Sequence, residues 1–571
     1  MSSDFQVNGT NTAALFTLKI HRGDGMALLA MNWKKGQPPR DFVGFAIEYK
    51  EPGGTKFFAL KNRLSFAKAG GAVDANILST LRSPIQKFRW VHFPRNAELE
   101  GDFIYRVSPL FMNERDELSQ GDAQEAAIEL RRDTYPGKLN VAYTRGFVSS
   151  QAFVDRYESV APIATLIPDD ADMGLTFVPT HPNATEALAW MGFEARQAIL
   201  EVLDQAIADK KAQVRVIAYD LSEPGVVTRL EQLGARLKII IDNDGAHGDP
   251  ESGETQSEHR LQASAGAANV KRQNMGKLQH NKTIVVDGPK GKIAVCGSTN
   301  YTWRGFFVQA NNVVIVRGKN AIQPFLIAFD NYWNNETPGK FGNTPSAIWT
   351  PLGLDGINAK VSFSPHAAAN ALLGSIADDI ATKTTSSLFY SLAFLYQTPG
   401  VMLDAIKSVS EDSKKFVYGI SDRKVGGIDL QKPDGNISPV FPAALGKNLP
   451  EPFKSEPTGG SGNRMHHKLL VVDFNKPSAR VYTGSYNFSG TADTKNGENL
   501  LLIRNRRIAV SYMIEALRLI DHYHFRVAQQ EAKSAKTKLQ LQKPPRLPAE
   551  VPWWSKYYSD AMKIRDRELF S

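Results

Sequence analysis

The chain has 571 residues, 42% hydrophobic and 22% charged, an ordinary globular balance that argues against disorder and leaves room for several buried cores. A formal charge of +9 favours anionic partners such as phosphate esters, nucleic acid or acidic lipid surfaces, without choosing among them. Cys296 is the only cysteine, which excludes an intramolecular disulfide, fits a reducing compartment and reads as a buried strand residue.

The opening Met1-Ser2-Ser3-Asp4-Phe5-Gln6 has no basic n-region and no apolar h-region, and no apolar run approaches the roughly 20 residues of a membrane span. A cytoplasmic protein is expected, with secretion by a signal-less route left open. Residues 1–135 read as an all-β domain. Ala14-Leu15-Phe16-Thr17-Leu18-Lys19-Ile20, Phe42-Val43-Gly44-Phe45-Ala46-Ile47-Glu48-Tyr49, Arg89-Trp90-Val91-His92-Phe93 and Phe103-Ile104-Tyr105-Arg106-Val107 are short strand-like runs, and Glu51-Pro52-Gly53-Gly54 is a turn. This spacing predicts a β-sandwich, similar in pattern to a fibronectin type III or immunoglobulin-like module.

From about residue 170 the pattern becomes α/β. Glu186 to Lys211 carries apolar residues at helical spacing. Val214-Arg215-Val216-Ile217-Ala218 and Leu237-Lys238-Ile239-Ile240-Ile241 read as strands on either side of a short helix. Residues 244–279 are polar and Gly-rich, and are expected to form a surface excursion or a lid. Trp553-Trp554-Ser555-Lys556-Tyr557-Tyr558 marks a C-terminal aromatic and basic tail over 546–571. It reads as packing back on one of the halves, or alternatively as a membrane or base-stacking patch.

An internal repeat organises the middle of the chain. Phe177-Val178-Pro179-Thr180-His181 recurs as Phe363-Ser364-Pro365-His366, the phenylalanines 186 residues apart. His280, Lys282 and Asp287 recur as His466, Lys468 and Asp473, each 186 residues on. Gly297-Ser298-Thr299-Asn300 recurs as Gly484-Ser485-Tyr486-Asn487, offset by 187. Two related halves are expected, 150–355 and 356–545.

Each His-x-Lys precedes an apolar strand-like run, so His and Lys, two positions apart, face one side together. The imidazole supplies a nucleophile or an acid, and the ammonium supplies charge for phosphate oxygens. Ser298, Asn300, Ser485 and Asn487 are expected to donate hydrogen bonds to that phosphate, with the glycines letting a tight turn approach it. Asp287 and Asp473 stand at odd offsets from the histidines and read as supporting groups. His467 should face away from His466, and His181 and His366 read as turn residues or as lining the mouth of the site. A lone His-x-Lys has little weight, but two copies, each followed by Gly-Ser-x-Asn at nearly the same distance, have much.

At this point the chain resembles the phospholipase D superfamily over roughly residues 170–510. The resemblance implies two α/β halves packed as a pseudo-dimer behind the β-sandwich, with both motifs in one site and a monomeric chain. It implies no metal and no cofactor. It also implies a phosphohistidine intermediate, with His280 the usual nucleophile and His466 the acid and base, and with the lysines and asparagines as the phosphate clamp. Members often carry a carboxylate after Gly-Ser-x-Asn to orient a histidine. The second half has Asn496-Gly497-Glu498-Asn499, whereas the first has Ala310-Asn311-Asn312, so Glu498 is expected to orient His466. The reading favours hydrolysis or transfer of phospholipid headgroups, with peripheral membrane contact. A nuclease acting on DNA or RNA and a non-enzymatic anion-binding scaffold are the alternatives.

Overall fold

The computed structural model describes residues 5–67, 78–94, 96–130, 133–146, 153, 156–169, 172–393, 395, 400–422, 428–432, 437–440 and 465–571, and the chain divides into two compact units. The first four residues of the N-terminal stretch lie outside the described residues.

The first unit comprises Met1–Arg132 and Val510–Ser571. One antiparallel sheet runs in the order Gln6–Asn8, Phe16–Gly23, Met26–Trp33, Arg89–His92. The other runs Phe58–Ala59, Phe42–Lys50, Asp102–Met112, Leu118–Gln120, with Gln124–Glu129 also pairing to Asp102–Met112. Phe16, Leu18 and Ile20 from one sheet and Phe45, Ile47, Tyr105 and Val107 from the other share one core, as strand alternation requires. Gly53, at φ +70, closes the Glu51–Gly54 turn, in which Gly54 N donates to Glu51 O at 2.9 Å; Pro followed by a positive-φ Gly suits such a turn. Gly44 sits at a bulge with φ +132, where a Cβ would meet Ile85 O at 2.6 Å.

Residues from Val510 on join this unit, whereas the repeat pattern assigns them to the second half as far as 545. The reason is apolar packing. Trp554 is buried in the β-core, the Trp553 ring lies 5.6 Å from Phe42, and the Tyr557 ring lies 5.0 Å from Phe88. Arg89 anchors the same region through Asp521 at 2.5 Å and Asp566 at 2.7 Å. The aromatic tail therefore packs on the β-core and not on an α/β half as expected.

The second unit, Asp133–Ala509, contains two mixed sheets. The seven-stranded sheet runs Leu139–Tyr143, Asn312–Arg317, Lys292–Gly297, Lys282–Asp287, Gln213–Ala218, Leu237–Ile241, Val270–Arg272. The nine-stranded sheet runs Thr350–Pro351, Asn358–Ser364, Glu498–Arg504, Arg480–Gly484, Lys468–Val472, Ser387–Leu392, Phe416–Asp422, Ile428–Gln431, Ile437–Val440. The two match strand for strand at their centres. Gln213–Ala218 pairs parallel with Leu237–Ile241 and antiparallel with Lys282–Asp287, as Ser387–Leu392 does with Phe416–Asp422 and Lys468–Val472. Ala218 stands opposite Lys282, and Leu392 opposite Lys468.

The polar stretch 244–279 carries regular structure. It forms the helix Gly253–Ala265, capped by Ser252 Oγ accepting from Thr255 N, and the edge strand Val270–Arg272. Leu261 and Ala265 are the apolar residues this helix buries, so the apolar signal there is weak.

Candidate active site

His280 and His466 each stand two residues before a lysine that opens a strand, Lys282–Asp287 and Lys468–Val472. The two imidazoles face each other, with ring centroids 6.3 Å apart. Each lysine folds back on its own motif: Lys282 Nζ donates to His280 O at 2.5 Å, and Lys468 Nζ to His466 O at 2.8 Å. All four side chains are at least nine-tenths buried.

The orienting groups are exchanged between the halves. His280 Nδ1 is 2.8 Å from Glu498 Oε2, and His466 Nδ1 is 2.8 Å from Asn311 Oδ1. This corrects the expected pairing of Glu498 with His466. Glu498 and Asn311 each begin or immediately precede a strand two strands away from the histidine of their own sheet, and so reach the other half's histidine at the meeting of the strand ends. The same crossing recurs behind the rings. His467, buried, lies 3.2 Å from Asn312 Nδ2, while Asn499 Nδ2 donates to Asn281 Oδ1 at 3.1 Å. His467 thus braces the contact between the halves, away from His466's side.

Ser298 and Ser485, expected to donate to the phosphate, give their hydroxyl protons to the orienting groups. Ser485 Oγ donates to Glu498 Oε2 at 2.6 Å and accepts from Asn499 N at 3.0 Å. Ser298 Oγ donates to Asn311 Oδ1 at 2.9 Å and accepts from Asn312 N at 3.0 Å. Gly297 and Gly484 owe their place to the neighbouring strand: a Cβ would meet Asn312 O at 2.4 Å and Asn499 O at 2.2 Å. Asn300 and Asn487 each keep a buried amide oxygen with no hydrogen-bond partner among the described residues, and Asn300 Nδ2 donates to Asp220.

Asp287 and Asp473 lie outside the site. Five residues along a strand from Lys282 is roughly 16 Å. Asp287 is half-exposed and pairs with Lys292. Asp473 is buried and accepts from Thr385 N at 3.0 Å, Ser386 N at 2.7 Å, Ser387 N at 3.1 Å and Thr385 Oγ1 at 2.7 Å. It ties the start of the neighbouring strand and has no catalytic contact. His181 and His366 also hold turns. His181 accepts from Asn183 N at 3.0 Å, and His366 Nδ1 is 2.7 Å from Asp493 Oδ1.

Burial lowers the pKa of His280, and the adjacent Glu498 opposes it. His466 is pushed well below the usual histidine range by burial and then by Lys468, Lys282 and His280, and its amide partner adds no charge. Burial brings Lys282 down to about 8 against the pull of Glu498, Asp220 and Asp242. A bound anion would raise all three values, since it favours the charged forms. The site therefore holds two differently supported histidines beside two buried lysines.

One cluster beside it escapes the sequence reading. Asp220, His247 and Glu254 bring ligand atoms within 4.8 Å of one another, so among the described residues these three could hold a metal ion. No motif spacing marks them. Asp220 and Asp242 follow the ends of the parallel strands Gln213–Ala218 and Leu237–Ile241, and that position, where α/β sites gather, is the signal that could have found them.

The family model "Cardiolipin synthase, PLD-like domain" matches residues 193–333 and 445–519. A phospholipase D of Rickettsia prowazekii is 44% identical over 48 residues, 8% of this chain and 22% of the relative. The mitochondrial cardiolipin hydrolase of Canis lupus familiaris is 26% identical over 184 residues, 29% of this chain and 68% of that one. The solved phosphatidylserine synthase of Haemophilus influenzae aligns with 65% of this chain and 92% of its own at 14% identity, with a TM-score of 0.37. The chain thus spans about a fifth of the rickettsial relative's length. Both motif histidines and their lysines fall inside the residues matched by the family model, so the part of the chain that carries both motifs is phospholipase D-like.

Proposed function

We propose that this protein is a phosphodiesterase that works through a phosphohistidine on His280. The observation that carries the reading is the facing pair of histidines, 6.3 Å apart, each beside a buried lysine. Glu498 accepts the Nδ1 proton of His280 and leaves Nε2 to attack phosphorus. The N–P bond forms as the bond to the leaving alcohol breaks, and His466 gives that alcohol its proton. His466 then takes a proton from water or an acceptor alcohol, whose oxygen displaces His280 from phosphorus. Lys282 and Lys468, with Asn300 and Asn487, neutralise and place the phosphate oxygens. The two halves act as a pseudo-dimer around one site. The β-unit is fibronectin type III- or immunoglobulin-like, and its role is separate from the chemistry.

The favoured substrate is a phospholipid headgroup ester, met by peripheral contact of a monomeric chain with a membrane surface. The relatives, phospholipase D and mitochondrial cardiolipin hydrolase, support that choice. Among the described residues no helix is long and apolar enough to cross a membrane. Parallel assays on phosphatidylcholine vesicles, cardiolipin vesicles, single-stranded DNA and RNA test the reading, with His466→Ala as control. Turnover on vesicles that the substitution abolishes is expected. Turnover on nucleic acid alone transfers the mechanism to a nuclease, and turnover on none leaves an anion-binding scaffold.

A further inference from the structure

Asp220 and Asp242 are bridged by one ring. His247 Nε2 lies 3.0 Å from Asp220 Oδ1, and Nδ1 lies 2.8 Å from Asp242 Oδ2. Each carboxylate also reaches toward the site. Asp220 Oδ2 accepts from Asn300 Nδ2, and Asp242 Oδ1 accepts at 2.5 Å from the backbone nitrogen of Gln279, the residue before His280. Asp242 is fully buried, and the Tyr219 ring packs 4.7 Å from His247 and 4.6 Å from His280. A continuous polar chain therefore runs from Asn300 through Asp220, His247 and Asp242 to the backbone that enters His280.

We propose that His247 is a positioning residue of the phosphate pocket: by bridging Asp220 and Asp242 it holds the Asn300 amide and the backbone before His280 in place. The proposal rests on the phosphodiester reading above. The charged groups facing the ring and its partners are Asp220, Asp242 and Glu254, Asp244, whose N bonds Asp242, Arg272, which donates to His247 O at 2.5 Å, and Lys282 and His280, which act on Asp220. Without the ring, Asp220 and Asp242 lose the group that bridges them. Asp220 is then free to pair with Lys282 and withdraw that ammonium from the substrate. The device belongs to one half: Ala393 and Phe394 take the sequence places matching Tyr219 and Asp220.

The test uses the full chain and tungstate, a tetrahedral oxyanion, with affinity read by calorimetry and folding by thermal melting. His247→Gln is expected to weaken tungstate binding at least about tenfold while the melting temperature moves by only a few degrees. In an Asn300→Ala background the further loss is expected to be clearly smaller, because the relay then holds only the backbone before His280. Equal losses in both backgrounds, or a loss that tracks a fall in melting temperature, overturn the proposal. If His247→Gln does not fold, Asp220→Asn is put through the same cycle with the same expectation. Dialysis against EDTA that reproduces the His247→Gln loss, with zinc restoring affinity, also overturns it and makes Asp220, His247 and Glu254 a metal site. A wild-type chain that shows the coupling but cleaves no phosphodiester supports the relay and removes the functional reading instead.

Discussion

His280 takes its orienting carboxylate from Glu498, 218 residues away and in the opposite half of the repeat, at 2.8 Å. The reciprocal position, beside His466, is held by the amide of Asn311 at the same distance. A carboxylate fixes a tautomer and stabilises the imidazolium, whereas an amide only fixes the ring. This difference makes the two histidines inequivalent, and on the proposed mechanism it gives the charged partner to the nucleophile.

Glu498→Gln is expected to lower kcat by about 10²–10⁴-fold, because the ring keeps a hydrogen bond but loses charge stabilisation as the adduct forms. Asn311→Asp should raise the pKa of His466 and move the pH profile of kcat upward. Initial rates from pH 5 to 9 on a chromogenic phosphodiester check both. An unchanged profile in Asn311→Asp would sink the exchanged pairing.

The covalent step separates the histidines further. With an activated leaving group, His466→Ala should still form a phosphohistidine on His280 but turn over slowly, since no base activates water. His280→Ala should form no adduct. Peptide mapping by mass spectrometry without acid decides the matter, and an adduct on His466 would reverse the roles.

Lys282 has a pKa near 8, lowered by burial. It is charged below that pH and neutral above it, so kcat/KM in the free enzyme should fall as pH rises through about 8. Lys282→Arg should remove this alkaline limb, because a guanidinium keeps its proton. The limb staying in place would assign it to another group.

The two aspartates of the motifs should behave differently. Asp473→Ala strands several buried donors and should cost about 3 kcal/mol, visible as a lowered melting temperature. Asp287→Ala removes a half-exposed partner of Lys292 and should change stability by no more than about 0.5 kcal/mol. Neither should alter kcat per folded molecule by more than a few-fold, since neither touches the rings.

Turnover should also survive excess EDTA after dialysis, because two lysines already supply the charge that phosphoryl chemistry needs. Loss restored by one divalent ion would redirect attention to Asp220, His247 and Glu254.

The repeat makes the two histidines and lysines legible in the sequence, since the chemistry uses the same side chains twice at one offset. The pairing of Glu498 is not legible. Sequence matching ties it to its own half, and only the way strand ends meet in space reveals the exchange. Ser298 and Ser485 look like donors to a ligand because their acceptors, Asn311 and Glu498, lie on another strand. His247 escapes because its partners come from the ends of two strands and share no spacing. The tail's aromatic composition is legible, but not its destination, because a β-core and a membrane interface attract the same residues.

The exchange of orienting groups also ties the histories of the two copies together. In an ordinary duplication each copy can drift once the other keeps the activity. Here a change at residue 498 is felt at residue 280, and one at 311 is felt at 466, so neither copy can decay or improve alone. Change at either orienting group therefore needs an answering change in the other half, and Glu facing Asn gives the site a front and a back.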